Sequence, residues 1–274
     1  MKFIKNMNNT AKILVGICFA LSIFTIIMIA NSDNTGDVIE TSSTLSNEKI
    51  GWGIKRKDNH NQPDLGATNK KLIEQYNGIA MGNSEENYIY LTFDCGYEAG
   101  NTARILDSLK EKNVQAAFFI TAHYLNTAPD LVQRMIDEGH IVGNHTVNHP
   151  SMPEISDEKI KTELMTLNQT MYEKFGYEMK YMRPPKGEFS ERTLSITESL
   201  GFRTVMWSFA YVDWNEDSQP DKQDAINKII SNLHNGEVML LHATSKTNSE
   251  IMSDIIDQTR NEGYKFRSLD EFLQ

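Results

Sequence analysis

Two histidines four residues apart, His145 and His149 in Gly143-Asn-His145-Thr-Val-Asn-His149-Pro, are the first residues whose spacing suggests chemistry. On one helical turn both imidazoles would point the same way, as two ligands of one divalent ion require. Asp94 follows the apolar run Tyr88–Phe93, with Gly96 permitting a tight turn just after it. It could instead cap the following helix, but Asn101 is as well placed for that. His242 follows Glu237-Val-Met-Leu-Leu241, a run apolar enough to be buried, so its imidazole is not there for solubility. Arg183, Asp213 and Trp214 complete the set. Any one of these histidines, taken alone, is more simply a core or surface residue.

What could bring them together is the order of the elements between them. From Asn87 the chain alternates β-rich runs with helical periods. The runs are Tyr88–Phe93, Val114–Thr121, His140–Val142, Met179–Met182, Phe202–Trp207, Glu237–Leu241 and Tyr264–Phe266. Helices are predicted over 101–112, from a Thr127-Ala-Pro-Asp130 capping box to Gly139, from Ser156 to near Gly176, over 191–200, 221–233 and 249–261. Such alternation predicts parallel βαβ units. Seven of them favour an α/β fold of distorted, incomplete (β/α)7-8 barrel type, with a doubly wound sheet as the alternative. Asp94, His145, His149, Arg183, Asp213, Trp214 and His242 all fall at or just beyond C-terminal strand ends, which share one face in a parallel barrel.

Composition narrows the partners. The net charge of −10 argues against nucleic acid, whose phosphates would be repelled, but not against a polysaccharide read by hydrogen bonds and stacking. Lys2, Lys5 and Lys12 precede an uncharged apolar run, Ile13–Ala30, close to the roughly 17–25 residues of a spanning helix. Its length favours an uncleaved anchor over a cleaved signal, and the lysines place the bulk of the chain outside the cytoplasm. The expectation is a single-pass protein of the cell membrane, or a secreted one if the run is cleaved. Residues 31–50 read as a flexible linker and 51–86 as an extension with no legible function. With Cys18 inside the apolar run, Cys95 has no intrachain disulfide partner.

Five segments, in order, carry a resemblance: Thr92-Phe-Asp-x-Gly96, His145-Thr-x-x-His149, Arg183-Pro-Pro-x-Gly187, Val212-Asp-Trp214 and Leu240-Leu-His242. They resemble the motifs of polysaccharide deacetylases, carbohydrate esterase family 4 (the NodB-homology group), over residues 87–274. Gly96-Tyr-Glu98 and Leu240-Leu-His-Ala-Thr-Ser-Lys246 look like the subgroup that deacetylates N-acetylmuramic acid on the way to muramic δ-lactam in spore cortex.

The resemblance implies a divalent metal, Zn²⁺ or else Co²⁺ or Mn²⁺, on His145 and His149. It makes Asp94 the general base and His242 the general acid. Arg183 would keep Asp94 ionised, Asp213 would orient His242, and Trp214 would wall the pocket. The Lys186 backbone N–H stands where relatives bind the oxyanion. Relatives usually have a second Asp where this chain has Cys95. A thiolate there could be the third ligand, at about 2.3 Å from zinc; the alternative is that Cys95 does not bind metal. The expected partner is peptidoglycan, acted on by a monomer. An N-acetylglucosamine deacetylase and an inactive glycan-binding barrel are the alternatives.

Overall fold

The computed structural model describes residues 45–272. The expected anchor over residues 1–30 and most of the linker lie outside them. Among the described residues no helix is long and apolar enough to cross a membrane. The end of the segment read as a flexible linker is exposed but makes hydrogen bonds to the domain. Asn47 donates to the Pro153 carbonyl at 3.0 Å and accepts from Ser190 Oγ at 3.0 Å.

In chain order the elements are β1 (Ile50–Gly51), α1 (Ala67–Gln75), β2 (Tyr88–Cys95), α2 (Thr102–Glu111), β3 (Ala117–Ile120), α3 (Ala122–Thr127), α4 (Pro129–Asp137) and β4 (Ile141–Asn144). Then come α5 (Asp157–Phe175), β5 (Tyr181–Met182), β6 (Glu188–Phe189), α6 (Glu191–Ser199), β7 (Arg203–Thr204), α7 (Lys222–Ser231), β8 (Glu237–His242), α8 (Lys246–Asn261) and β9 (Lys265–Phe266). Ser156 caps α5 and left-handed Gly176 ends it, as its sequence signals require. The expected capping box at Thr127 does not form. Thr127 closes the short α3, its hydroxyl bonded back to the His123 carbonyl at 2.9 Å, and α4 starts without a side-chain cap.

Seven strands form one sheet in the order β7-β5-β4-β3-β2-β8, with β9 beside the start of β2. Every pairing in it is parallel. The sheet curls toward closure through the chain after β7. Val205 bridges Ile79, and Phe209 bridges Met239 of β8. This is the incomplete barrel anticipated from the alternation, not an open doubly wound sheet. The small antiparallel pair β1–β6, which the pattern did not indicate, fastens the N-terminal extension to the barrel rim.

Strand periodicity sorts the side chains. In β2, Ile89, Leu91, Phe93 and Cys95 face the layer that holds Ile105, Tyr124 and Ile255 of the surrounding helices. Tyr90 joins Ala117, Phe119, Tyr181 and Val238 in a second cluster, which fills the inside of the curled sheet. Thr92 and Asp94, in phase with Tyr90, follow it inward. Gly143 of β4 lets this interior pack, because a Cβ there would lie 2.5 Å from Cδ1 of Phe119.

Candidate active site

Asp94 and His242 are register partners on adjacent parallel strands, β2 and β8. Partners in register share a face at a strand spacing of about 4.8 Å, so a carboxylate and an imidazole stand side by side at the sheet's C-terminal edge.

Behind Asp94 lies Arg183, fully buried on the chain leaving β5. Its Nη1 donates to Asp94 Oδ1 at 2.8 Å, its Nη2 to Thr92 Oγ1 at 2.9 Å and its Nε to the Val205 carbonyl at 3.0 Å. The guanidinium lies 4.3 Å from the Phe119 ring centroid, the ring for which Gly143 leaves room. Burial opposes ionisation of Asp94, but the charge of Arg183, with its hydrogen bond and the nearby His242, outweighs it and holds the carboxyl below its ordinary value.

His145 follows β4. Its Nδ1 lies 2.8 Å from the Arg183 carbonyl, which can only accept, so the proton sits on Nδ1 and Nε2 is a free lone pair. Nε2 lies 3.6 Å from Asp94 Oδ2. The His149 ring centroid is 4.8 Å from that of His145. The two histidines are not on a helical turn, as their spacing suggested. They sit in an irregular loop where Thr146 and His149 take φ of 68° and 56°. Asn144 Oδ1 accepts from the Thr146 N–H at 2.8 Å, and buried Glu163 of α5 takes both the Asn148 N–H and its Nδ2 at 2.7 Å. Burial lowers both imidazole pKa values, that of His149 to about 4 with help from His145. Both rings are therefore neutral at pH 7, the form that binds metal.

Cys95 does not join them. It is one residue out of phase with Asp94, fully buried in the helix-facing apolar cluster. Burial and the neighbouring carboxylates Asp94 and Glu98 push its thiol well above its ordinary value. Among the described residues no three His, Cys, Asp or Glu side chains are arranged to hold an ion. The two imidazoles are neighbours at the sheet edge, while the Cys95 sulfur packs on the helix-facing side of β2. Cys95→Ala is expected to carry as much zinc per folded chain as the parent, by metal analysis after dialysis; a halved content would restore the sulfur as a ligand.

His242 is fixed from the other side. Asp213, buried, accepts from His242 Nδ1 at 2.7 Å, from the His242 backbone N–H at 2.8 Å and from Asn248 Nδ2 at 2.6 Å. That leaves Nε2 for the cleft. Burial works against the imidazolium, but Asp213, with Asp94 beyond it, raises the His242 pKa overall. If His242 acts as an acid, activity is lost on the alkaline side as it deprotonates. Asp213→Asn removes the charge that raises it, so the alkaline limb of the kcat/KM profile is expected to move to lower pH. An unmoved limb would separate Asp213 from the titration.

Trp214, half exposed, places its ring centroid 5.2 Å from that of His242. The cleft they face, ≈ 720 Å³, is also lined by Asp94, Trp52, Arg56 and Lys186. Trp52 and Arg56 belong to the extension in which no function was legible. Asn144, Asn148, Glu163 and Asn248 were likewise missed as supports. Asn144 and Asn148 lie within the histidine motif and Asn248 shortly after His242, but Glu163, in the middle of α5, has no such signal.

A curled parallel sheet with an Arg-buttressed carboxylate, two neutral imidazoles and an Asp-oriented histidine at its C-terminal edge defines an α/β-barrel site equipped for proton transfer. Residues 81–205 match the family described as polysaccharide deacetylase. The chain is 46% identical over 234 residues to an uncharacterized 30.6 kDa protein of Geobacillus stearothermophilus, covering 85% of this chain and 88% of that one. It is 42% identical over 233 residues to the peptidoglycan-N-acetylmuramic acid deacetylase PdaA of Bacillus subtilis, covering 85% and 89%. The solved structure of that carbohydrate esterase of family 4 superposes with a TM-score of 0.81 at 43% identity, over 84% of this chain and 98% of the other. The chain belongs to the polysaccharide deacetylase family.

Proposed function

We propose that this protein is a hydrolytic N-deacetylase of peptidoglycan, acting on N-acetylmuramic acid and so supplying the amine from which muramic δ-lactam forms in spore cortex. The observation that carries the reading is the Asp94–His242 register pair, each member with its own charged partner. A glycan-binding barrel would have no use for it. Similarity to PdaA over most of both chains supports the muramic acid substrate.

Members of this family generally depend on a metal, and His145 and His149 would hold it. A divalent cation there polarises a carbonyl and lowers the pKa of water. The chain's own residues do the rest. Asp94, ionised against Arg183, takes a proton from the water that attacks the acetyl carbonyl. The turn at Lys186, with φ of 58°, presents the backbone N–H assigned to the oxyanion. His242 gives the proton on Nε2 to the amide nitrogen, the C–N bond breaks, and acetate and a sugar amine leave. Trp214 shields one side of the reacting group. The apolar run before residue 31 would hold this domain at the outer face of the membrane.

Mass spectrometry of muropeptides treated with the full chain in detergent tests the substrate. Loss of acetyl from muramic acid is the expected result. Loss from glucosamine alone would move the assignment to the alternative substrate, and no acetate from either would leave a binding protein.

A further inference from the structure

The N-terminal extension is built into the wall of the catalytic cleft. Trp52 donates from its backbone N–H to the Gly187 carbonyl at 2.8 Å and from Nε1 to the Trp207 carbonyl at 2.9 Å. It is thereby tied both to the turn carrying Lys186 and to the segment leading to Asp213. Gly187 is kept small by this contact, since a Cβ there would come 2.7 Å from the Trp207 ring and 3.1 Å from Trp52 Cβ.

Four residues on, Arg56 reaches the same cleft. Its Nη2 donates to the Ala210 carbonyl, and its guanidinium carbon lies 5.4 Å from the Phe209 ring centroid. Phe209 and Ala210 belong to the stretch that ends in Asp213 and Trp214. The guanidinium is therefore held in register with the partner of His242, with N–H groups to spare.

Charge says what those groups face. Arg56, Lys186 and Lys228 all line the cleft, and among the described residues none has a carboxylate within 4.0 Å. The one carboxylate lining the cleft, Asp94, is already paired with Arg183. In a chain of net charge −10, a concave surface with three unpaired cations is matched to an anionic ligand.

We infer that Arg56 is a specificity-determining residue that reads a carboxylate on the sugar being deacetylated, with Lys186 and Lys228 adding to the attraction. This rests on the muramic acid reading above. Muramic acid carries a lactyl ether whose acid can be free or blocked as an amide, whereas N-acetylglucosamine carries neither. A planar guanidinium pre-positioned by a carbonyl and an aromatic face suits a carboxylate fork.

The test compares the full chain with Arg56→Ala and Arg56→Lys on three tetrasaccharides. One alternates N-acetylglucosamine with N-acetylmuramic acid bearing free lactyl acids, one has those acids as primary amides, and one is all N-acetylglucosamine. The parent is expected to prefer the free acid over the amide by about 10–100-fold in kcat/KM, the range of a charge-assisted pair. Arg56→Ala is expected to raise KM for the free acid and bring that ratio toward one, with Arg56→Lys between. Arg56 is exposed, so the fold should survive; if melting shows otherwise, Lys228→Ala on α7 should reduce the ratio in the same direction. A parent without the preference, or an Arg56→Ala that keeps it, overturns the inference and leaves the muramic acid reading intact. Acetate from the all-glucosamine oligomer alone removes that reading, and the inference with it.

Discussion

Asp94→Asn is expected to lower kcat by about 10²–10⁴-fold, the range that one proton-transferring group supplies, with little change in KM. The substitution is clean because Asn keeps an Oδ1 that can accept from Arg183 Nη1, now at 2.8 Å, so the buried guanidinium retains that hydrogen bond. What goes is the basic lone pair on the Oδ2 side, beside His145. Acetate release from a defined glycan, measured with the variant's melting temperature, separates chemistry from folding. Activity within tenfold of the parent would show that the proton goes elsewhere.

Arg183→Met is expected to act on stability and activity together. Breaking a buried ion pair by removing one partner costs about 3–5 kcal/mol, because the other charge is stranded. For a domain of this size that lowers Tm by roughly 6–20 °C. Thr92 and the Val205 carbonyl also lose their donors. Burial is already the largest single influence on Asp94; without the guanidinium that opposes it, it favours the protonated acid, which cannot serve as a base. Activity should therefore fall even at temperatures where the variant is folded. Arg183→Lys restores the charge but not the fork across Asp94 and Thr92, so intermediate stability is expected. Calorimetry giving a Tm within 2 °C of the parent for Arg183→Met would deny that this ion pair is a structural hub.

Strand–helix alternation, the preference for a parallel barrel over a doubly wound sheet, and the placing of Asp94, Arg183, Asp213 and His242 at or beyond strand ends could be read from the sequence. These were legible because they depend on local signals: apolar runs, caps such as Ser156, and breakers such as Gly176.

Tertiary structure alone decided the rest. The His145–His149 spacing suits a helix, but no local signal describes a loop held open by Asn144, Asn148 and a glutamate on α5. Whether the thiol after Asp94 meets the imidazoles depended on which side of β2 the helices pack. The same holds for the extension. Residues 50–56 have no periodicity to read, and they became part of the cleft through a two-residue strand pairing and the Trp52 bonds to Gly187 and Trp207. Contacts between segments more than a hundred residues apart leave no pattern in either segment, and only folding brings them together.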